Sequence, residues 1–122
     1  MNKSFAALLA GILLFVLLVI PRIPGVDLAV SPDEPKWLAR SANFYRAVAS
    51  GDWAGTYQVE HPGVTIMYAG MTSFLLQFPG LATSAPAPFA WDSSEIEAWL
   101  AANSAVSPLS LLIGGRWAVI LA

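Results

Sequence analysis

The residues able to do chemistry crowd into one stretch of this chain, Ser31 to Thr65, reading SPDEPKWLARSANFYRAVASGDWAGTYQVEHPGVT. It carries Asp33, Glu34, Lys36, Arg40, Arg46, Asp52, Glu60 and the only histidine, His61. Asp33 and Glu34 are adjacent carboxylates at a predicted helix start, where the helix dipole favours their ionised form. An ionised carboxylate can act as general base toward a hydroxyl. Helix capping alone would also place such residues here, and both uses stay open. Lys36 and Arg40 follow one and two turns on, and their donors suit phosphate oxygens. The plain alternative is an intrahelical ion pair worth about 0.2–0.5 kcal/mol. Glu60 and His61 precede Pro62, which restricts His61 to extended conformations and so fixes the direction of both side chains. His61 can carry a proton near neutral pH, although an ordinary loop could hold the same triplet.

The composition places these groups beside a membrane. Apolar residues make up 57% of the 122 and charged residues 11%, against about 25% charged in ordinary soluble domains. Five tryptophans and three tyrosines suit the bilayer interface, where amphipathic rings settle. Charge next to a bilayer is expensive to place badly, which makes the Ser31–Thr65 cluster a functional hint. A net charge of −2 leaves no basic footprint for nucleic acid. The chain has no cysteine, hence no disulfide framework. One histidine excludes the usual multi-histidine zinc sets, so no metal ligands are assigned; a divalent metal is left open without support.

The elements that must position the cluster can be read in order. Phe5 to Ile20 is uncharged, spans roughly 24 Å as a helix, and crosses a hydrocarbon core of about 30 Å when extended through Ile23. The expectation is a retained transmembrane helix over 1–24. A cleaved signal peptide is the rival, with the same charged start and apolar middle. Lys3 favours a cytoplasmic N-terminus. Residues 21–115 carry four basic and eight acidic residues, which fits the extracytoplasmic side. Pro21, Pro24 and Gly25 end the first helix, and Val26–Val30 reads as an extended connector. Ser31 as N-cap, Pro32 and Glu34 then start a helix over about 32–50, stopped by Gly51. Its apolar side is Trp37, Leu38, Phe44, Tyr45 and Val48; Asp33, Lys36, Arg40 and Asn43 share the other side. Gly51-Asp52-Trp53 is a turn, and Ala54–Glu60 reads as extended. An uncharged helix over 63–78 follows, lying in the interface, since Gly70, Thr72, Ser73 and Gln77 make it polar and short for a span. Residues 81–91 form a loop, 94–103 a further capped helix, and 108–122 the start of a second transmembrane helix marked by Arg116. The fold class is therefore all-α integral membrane, with an extracytoplasmic loop over 25–107. The apolar ending RWAVILA reads as the N-terminal piece of a longer protein.

Taken together, Asp33-Glu34, Gly51-Asp52-Trp53, Glu60-His61-Pro62 and Arg116 resemble the first extracytoplasmic loop of the family 39 type glycosyltransferases. These are GT-C membrane enzymes that include protein O-mannosyltransferases and bacterial aminoarabinose transferases. The likeness covers nearly the whole chain but only the first fifth or quarter of such an enzyme. The aminoarabinose transferases usually have Lys before proline and a second proline after it; this chain has His61 and Gly63, and His-Pro occurs in the mannosyltransferases. The resemblance implies transfer of a sugar from a polyprenyl-phosphate carrier to an acceptor hydroxyl outside the cytoplasm, at a cell inner or plasma membrane. It implies Asp33 as the base, with Glu34 beside it, and Glu60 organising the acceptor or sugar. Lys36, His61 and Arg40 would hold the lipid phosphate, and Trp53, Pro62 and Arg116 would be structural. Its partners would be membrane lipid and the polyprenyl-linked sugar, and the 122 residues alone would be inactive. The alternative, from another class, is a small secreted or membrane-anchored binding protein without catalysis.

Overall fold

The computed structural model describes residues 2–28, 31–58, 63–85, 88–90 and 93–122. Among them the chain is helix and turn, with no strand. The helices are α1 (Lys3–Val19), α2 (Glu34–Ser50), α3 (Val64–Gln77), α4 (Leu81–Ser84), α5 (Ser93–Asn103) and α6 (Pro108–Leu121). All-α architecture and the positions of α2, α3, α5 and α6 agree with the sequence reading; α4 falls where only a loop was expected.

Helix α1 starts on the Asn2 side chain, which accepts from the Ser4 N–H at 3.2 Å. It runs into a 3₁₀ turn, Ile20–Arg22, because Pro21 cannot supply the next helical donor. The Arg22 guanidinium donates back to the Leu18 carbonyl, satisfying a C-terminal group. No residue of α1 is buried. The segment Lys3–Arg22 is long and apolar enough to cross a membrane, a length and composition that a signal sequence shares. The described part of the connector after it, residues 26–28, is not extended. Val26 and Leu28 donate to Ile23 and Gly25 in successive turns, and Gly25 takes φ 91°, a conformation costly for other residues.

The core is built around α2. Leu38, Ala39, Ala42 and Tyr45 of α2 pack with Phe74, Leu81, Phe89, Ile96, Leu100 and Leu111. Burial covers every residue from Leu38 to Tyr45, more than two full turns, so α2 is a central helix. The expected polar side does not form: Asp33 and Lys36 are exposed, while Arg40 and Asn43 are inside. A mid-helix Asn competes with its own backbone unless a tertiary partner claims it. Here Asn43 Nδ2 donates to the Phe89 carbonyl at 2.9 Å, and the Phe89 N–H donates to Asn43 Oδ1 at 2.8 Å. The Tyr45 hydroxyl donates to the Pro79 carbonyl. Gly51, with φ 74°, closes α2 as read.

Helix α3 packs mainly on α6 and α2. A Cβ on Gly70 would stand 2.0 Å from Ser41 Oγ, and one on Gly114 2.3 Å from Ser73 Oγ, so both crossings require glycine. Of the polar residues that made α3 look unlike a span, Ser73 and Gln77 are turned inward, whereas the Thr72 hydroxyl donates to the Tyr68 carbonyl of its own helix. Ser73 Oγ donates to the Leu111 carbonyl at 2.7 Å, and Gln77 donates to Ser73 Oγ and to the Ser110 carbonyl. The outward face keeps Val64, Tyr68, Leu75 and Leu76. Between α5 and α6 the chain bends by 109°.

Candidate functional site

Helix α2 begins at Glu34, with Asp33 rather than Ser31 in the N-cap position. The Ser31 carbonyl accepts from the Glu34 N–H at 3.1 Å. The Ser31 N–H donates to Glu34 Oε2 at 2.7 Å, which is one arm of the expected capping box. Asp33 makes no capping bond with its side chain. That carboxylate is 68% exposed and lies 3.6 Å from Lys36 Nζ.

The two adjacent carboxylates thus have different surroundings. Glu34 is buried and meets Arg116 of α6 through two parallel bonds, Nε to Oε1 and Nη2 to Oε2, each 2.7 Å. This fork-on-fork geometry is the strong form of the pair. Arg116 Nη1 also donates to the carbonyls of Val26 at 2.6 Å and Leu28 at 3.1 Å. One guanidinium therefore ties α6, the start of α2 and the turns after α1. The Arg116 bonds hold the Glu34 carboxyl below the usual carboxylate value, against the opposing pull of burial, with the Ser31 N–H adding in the same direction. Glu34 is a locked anion, ill suited to collecting protons; Asp33 is the accessible one.

Below this latch lies a cleft of about 370 Å³ between the Arg22–Val26 turns, α2, α3 and α6. Its walls are mostly apolar, including Leu38, Phe74, Leu112 and Val119, and Arg22, Glu34 and Arg116 supply its charges. Asp33 and Lys36 do not line it.

The remaining expected site residues separate. Lys36 is exposed, whereas Arg40 is only 4% exposed and sits in the core of α2. The two cations therefore do not make one open patch. Glu60, His61 and Pro62 lie outside the described residues. Trp53 is 72% exposed on its turn, so its ring does not brace the fold as expected. Of the stretch Ala54–Glu60 read as extended, residues 54–56 turn instead, with the Gly55 N–H on Asp52 Oδ1 at 3.0 Å and the Tyr57 N–H on the Ala54 carbonyl. Among the described residues no group of three or more His, Cys, Asp or Glu could hold a metal ion. The Glu34–Arg116 pair joins residues 82 apart in the chain. Its only signal in the sequence was a lone arginine in an apolar segment, which needs a partner. Comparison with family models, curated proteins and solved structures finds no match.

Proposed function

We propose that the chain is the N-terminal part of a membrane glycosyltransferase that moves a sugar from a polyprenyl-phosphate carrier to an acceptor hydroxyl, with Asp33 as the base. What supports this reading is the division of labour between Asp33 and Glu34. Glu34 is committed to Arg116, which anchors the start of α2. Asp33 is held on that anchored turn with an open carboxylate and a cation at 3.6 Å. A spanning-length apolar helix immediately upstream would keep this turn at the membrane surface, where a lipid-linked donor presents its head group.

In the proposed reaction the acceptor oxygen attacks the anomeric carbon of the donor. The bond from that carbon to the phosphate oxygen breaks, and the phosphate leaves with the bonding electrons. The acceptor proton passes to Asp33. Lys36 and His61 offset the charge that grows on the departing phosphate, the part of the transition state that most needs a fixed cation. Glu34 positions the turn through Arg116 and takes no proton. Glu60 would orient the acceptor or the sugar.

The test is turnover of the complete enzyme with saturating polyprenyl-phosphate sugar. Asp33→Asn should lower turnover about 10²- to 10⁴-fold, the usual contribution of a general base, at unchanged thermal stability in detergent. Asn is acceptable at an N-cap, so the helix start survives. Near wild-type turnover would remove Asp33 as base and leave its carboxylate only the exposed ion pair with Lys36.

A further inference from the structure

A second cleft, of about 290 Å³, opens at the other end of α2. Arg46 and Asp52 are its charged wall residues, and the rest includes Asn43, Ser50, Gln58 and Phe89. Arg46 lies thirteen positions along the chain from Asp33, roughly 20 Å at 1.5 Å per residue, and neither Asp33 nor Lys36 lines this cleft, so it is not part of the site proposed above.

The polar groups of this wall are almost all spoken for. Asn43 exchanges both of its bonds with Phe89. Ser50 donates to the Ala47 carbonyl, and Gln58 Nε2 to the Gly55 carbonyl. Arg46 is one exception: its Nε is buried and, among the described residues, has no hydrogen-bond partner. A buried guanidinium donor left unpaired is expensive, and such a group calls for an explanation. An anion entering the cleft supplies one, since Nε and a neighbouring Nη form a planar fork matched to a carboxylate.

Asp52 narrows the choice. Its Oδ1 accepts from Gly55, while Oδ2 stands where a Gly55 Cβ would fall, 2.3 Å from it, and makes no hydrogen bond among the described residues. This anion on the wall disfavours a doubly charged phosphate and favours a ligand with one negative charge and a hydroxyl to donate. Ala82, Pro88 and Phe89 offer apolar surface to a carbon skeleton. The volume is at the small end of ligand pockets. We propose that the Arg46–Asp52 cleft binds a small hydroxylated carboxylate, its carboxylate on Arg46 and a hydroxyl on Asp52.

The test follows the Arg46 Nε–H resonance of the full chain in lipid nanodiscs during titration with gluconate, propionate or inorganic phosphate. Gluconate should shift the signal saturably and bind about tenfold tighter than propionate, the difference made by one hydrogen bond to a charged group. Arg46→Gln should abolish gluconate binding, read from the Gly55 amide. Should Arg46→Gln not fold, Asp52→Asn carries the test by reducing the gluconate preference to about twofold. Phosphate binding as tightly as gluconate would overturn the ligand class. An Asp52→Asn variant that kept the full preference would overturn the role of Asp52. Saturable movement with none of the three would overturn the site.

Discussion

Helices α1 and α2 are both 17 residues long, and they use their side chains in opposite ways. α1 is almost purely apolar, yet none of it is buried in the protein. α2 carries Glu34, Lys36, Arg40 and Arg46, yet ten of its residues are buried, among them Glu34, Arg40 and Asn43. Apolar content therefore does not decide which helix forms the core. A uniformly apolar cylinder has no preferred face and can satisfy itself in lipid, which is as apolar as its own side chains. A helix with placed polar groups must find the particular partners that match them, and finding them fixes where it packs. α2 is held by named atoms, and α1 buries none of its residues against the rest of the described chain.

That contrast can be broken most directly at Arg116. Arg116→Leu leaves Glu34 buried without its partner, and loss of one member of such a pair costs about 3–5 kcal/mol. Thermal unfolding in detergent should show a large fall for this variant and for Glu34→Ala. A loss below about 1 kcal/mol would place the pair with solvated surface bridges and end its role as the latch of α2.

Asn43→Leu comes next. It leaves the Phe89 N–H and carbonyl without their partner in a buried setting, about 2–3 kcal/mol by the usual cost of orphaned groups. Hydrogen exchange at the Phe89 amide should accelerate in step. Unchanged protection there would mean that another group replaces Asn43.

Glycines sharpen the same comparison with smaller effects. Gly70→Ala must push Ser41 away from α3 and should destabilise by about 1–2 kcal/mol, the usual range for overpacking. Gly11 of α1 has nothing within 4 Å of its would-be Cβ. Gly11→Ala should be neutral or stabilising by less than about 1 kcal/mol, from helix propensity alone. Equal effects at the two positions would contradict the picture of one helix packed and the other unpacked.

The smallest expected effect is in pH dependence. The Glu34 carboxyl is held below its ordinary value near 4.5, so the unfolded chain takes up the proton first on acidification. The stability contributed by Glu34 is complete above that ordinary value and is lost as pH falls through the lower folded one. The gap in unfolding temperature between wild type and Glu34→Gln should therefore narrow as pH falls below the ordinary value near 4.5. A gap that stayed constant would show that Glu34 stabilises without its charge.

Local chemistry makes much of this protein legible in its sequence. An unbroken apolar run followed by Pro21 reads as a helix and its end. Pro32 and Glu34 read as a helix start, and Gly51, with its positive φ, as a stop. Each of these is decided by a few neighbouring residues, which is why the segments of α2, α3, α5 and α6 could be drawn closely. Which face of α2 is inside was not legible. Asp33, Lys36, Arg40 and Asn43 share a helical spacing, but Asn43 meets Phe89 46 residues away and Glu34 meets Arg116 82 residues away. Side-chain periodicity reports polarity, and a polar residue with a distant partner is as good a core residue as an apolar one. The same limit hid the inward turn of Ser73 and Gln77 in α3, whose acceptors belong to α6. It also hid the split between Asp33 and Glu34. As a dipeptide they are equivalent acids at a helix start; only the approach of α6 brings a guanidinium to one and leaves the other open to solvent.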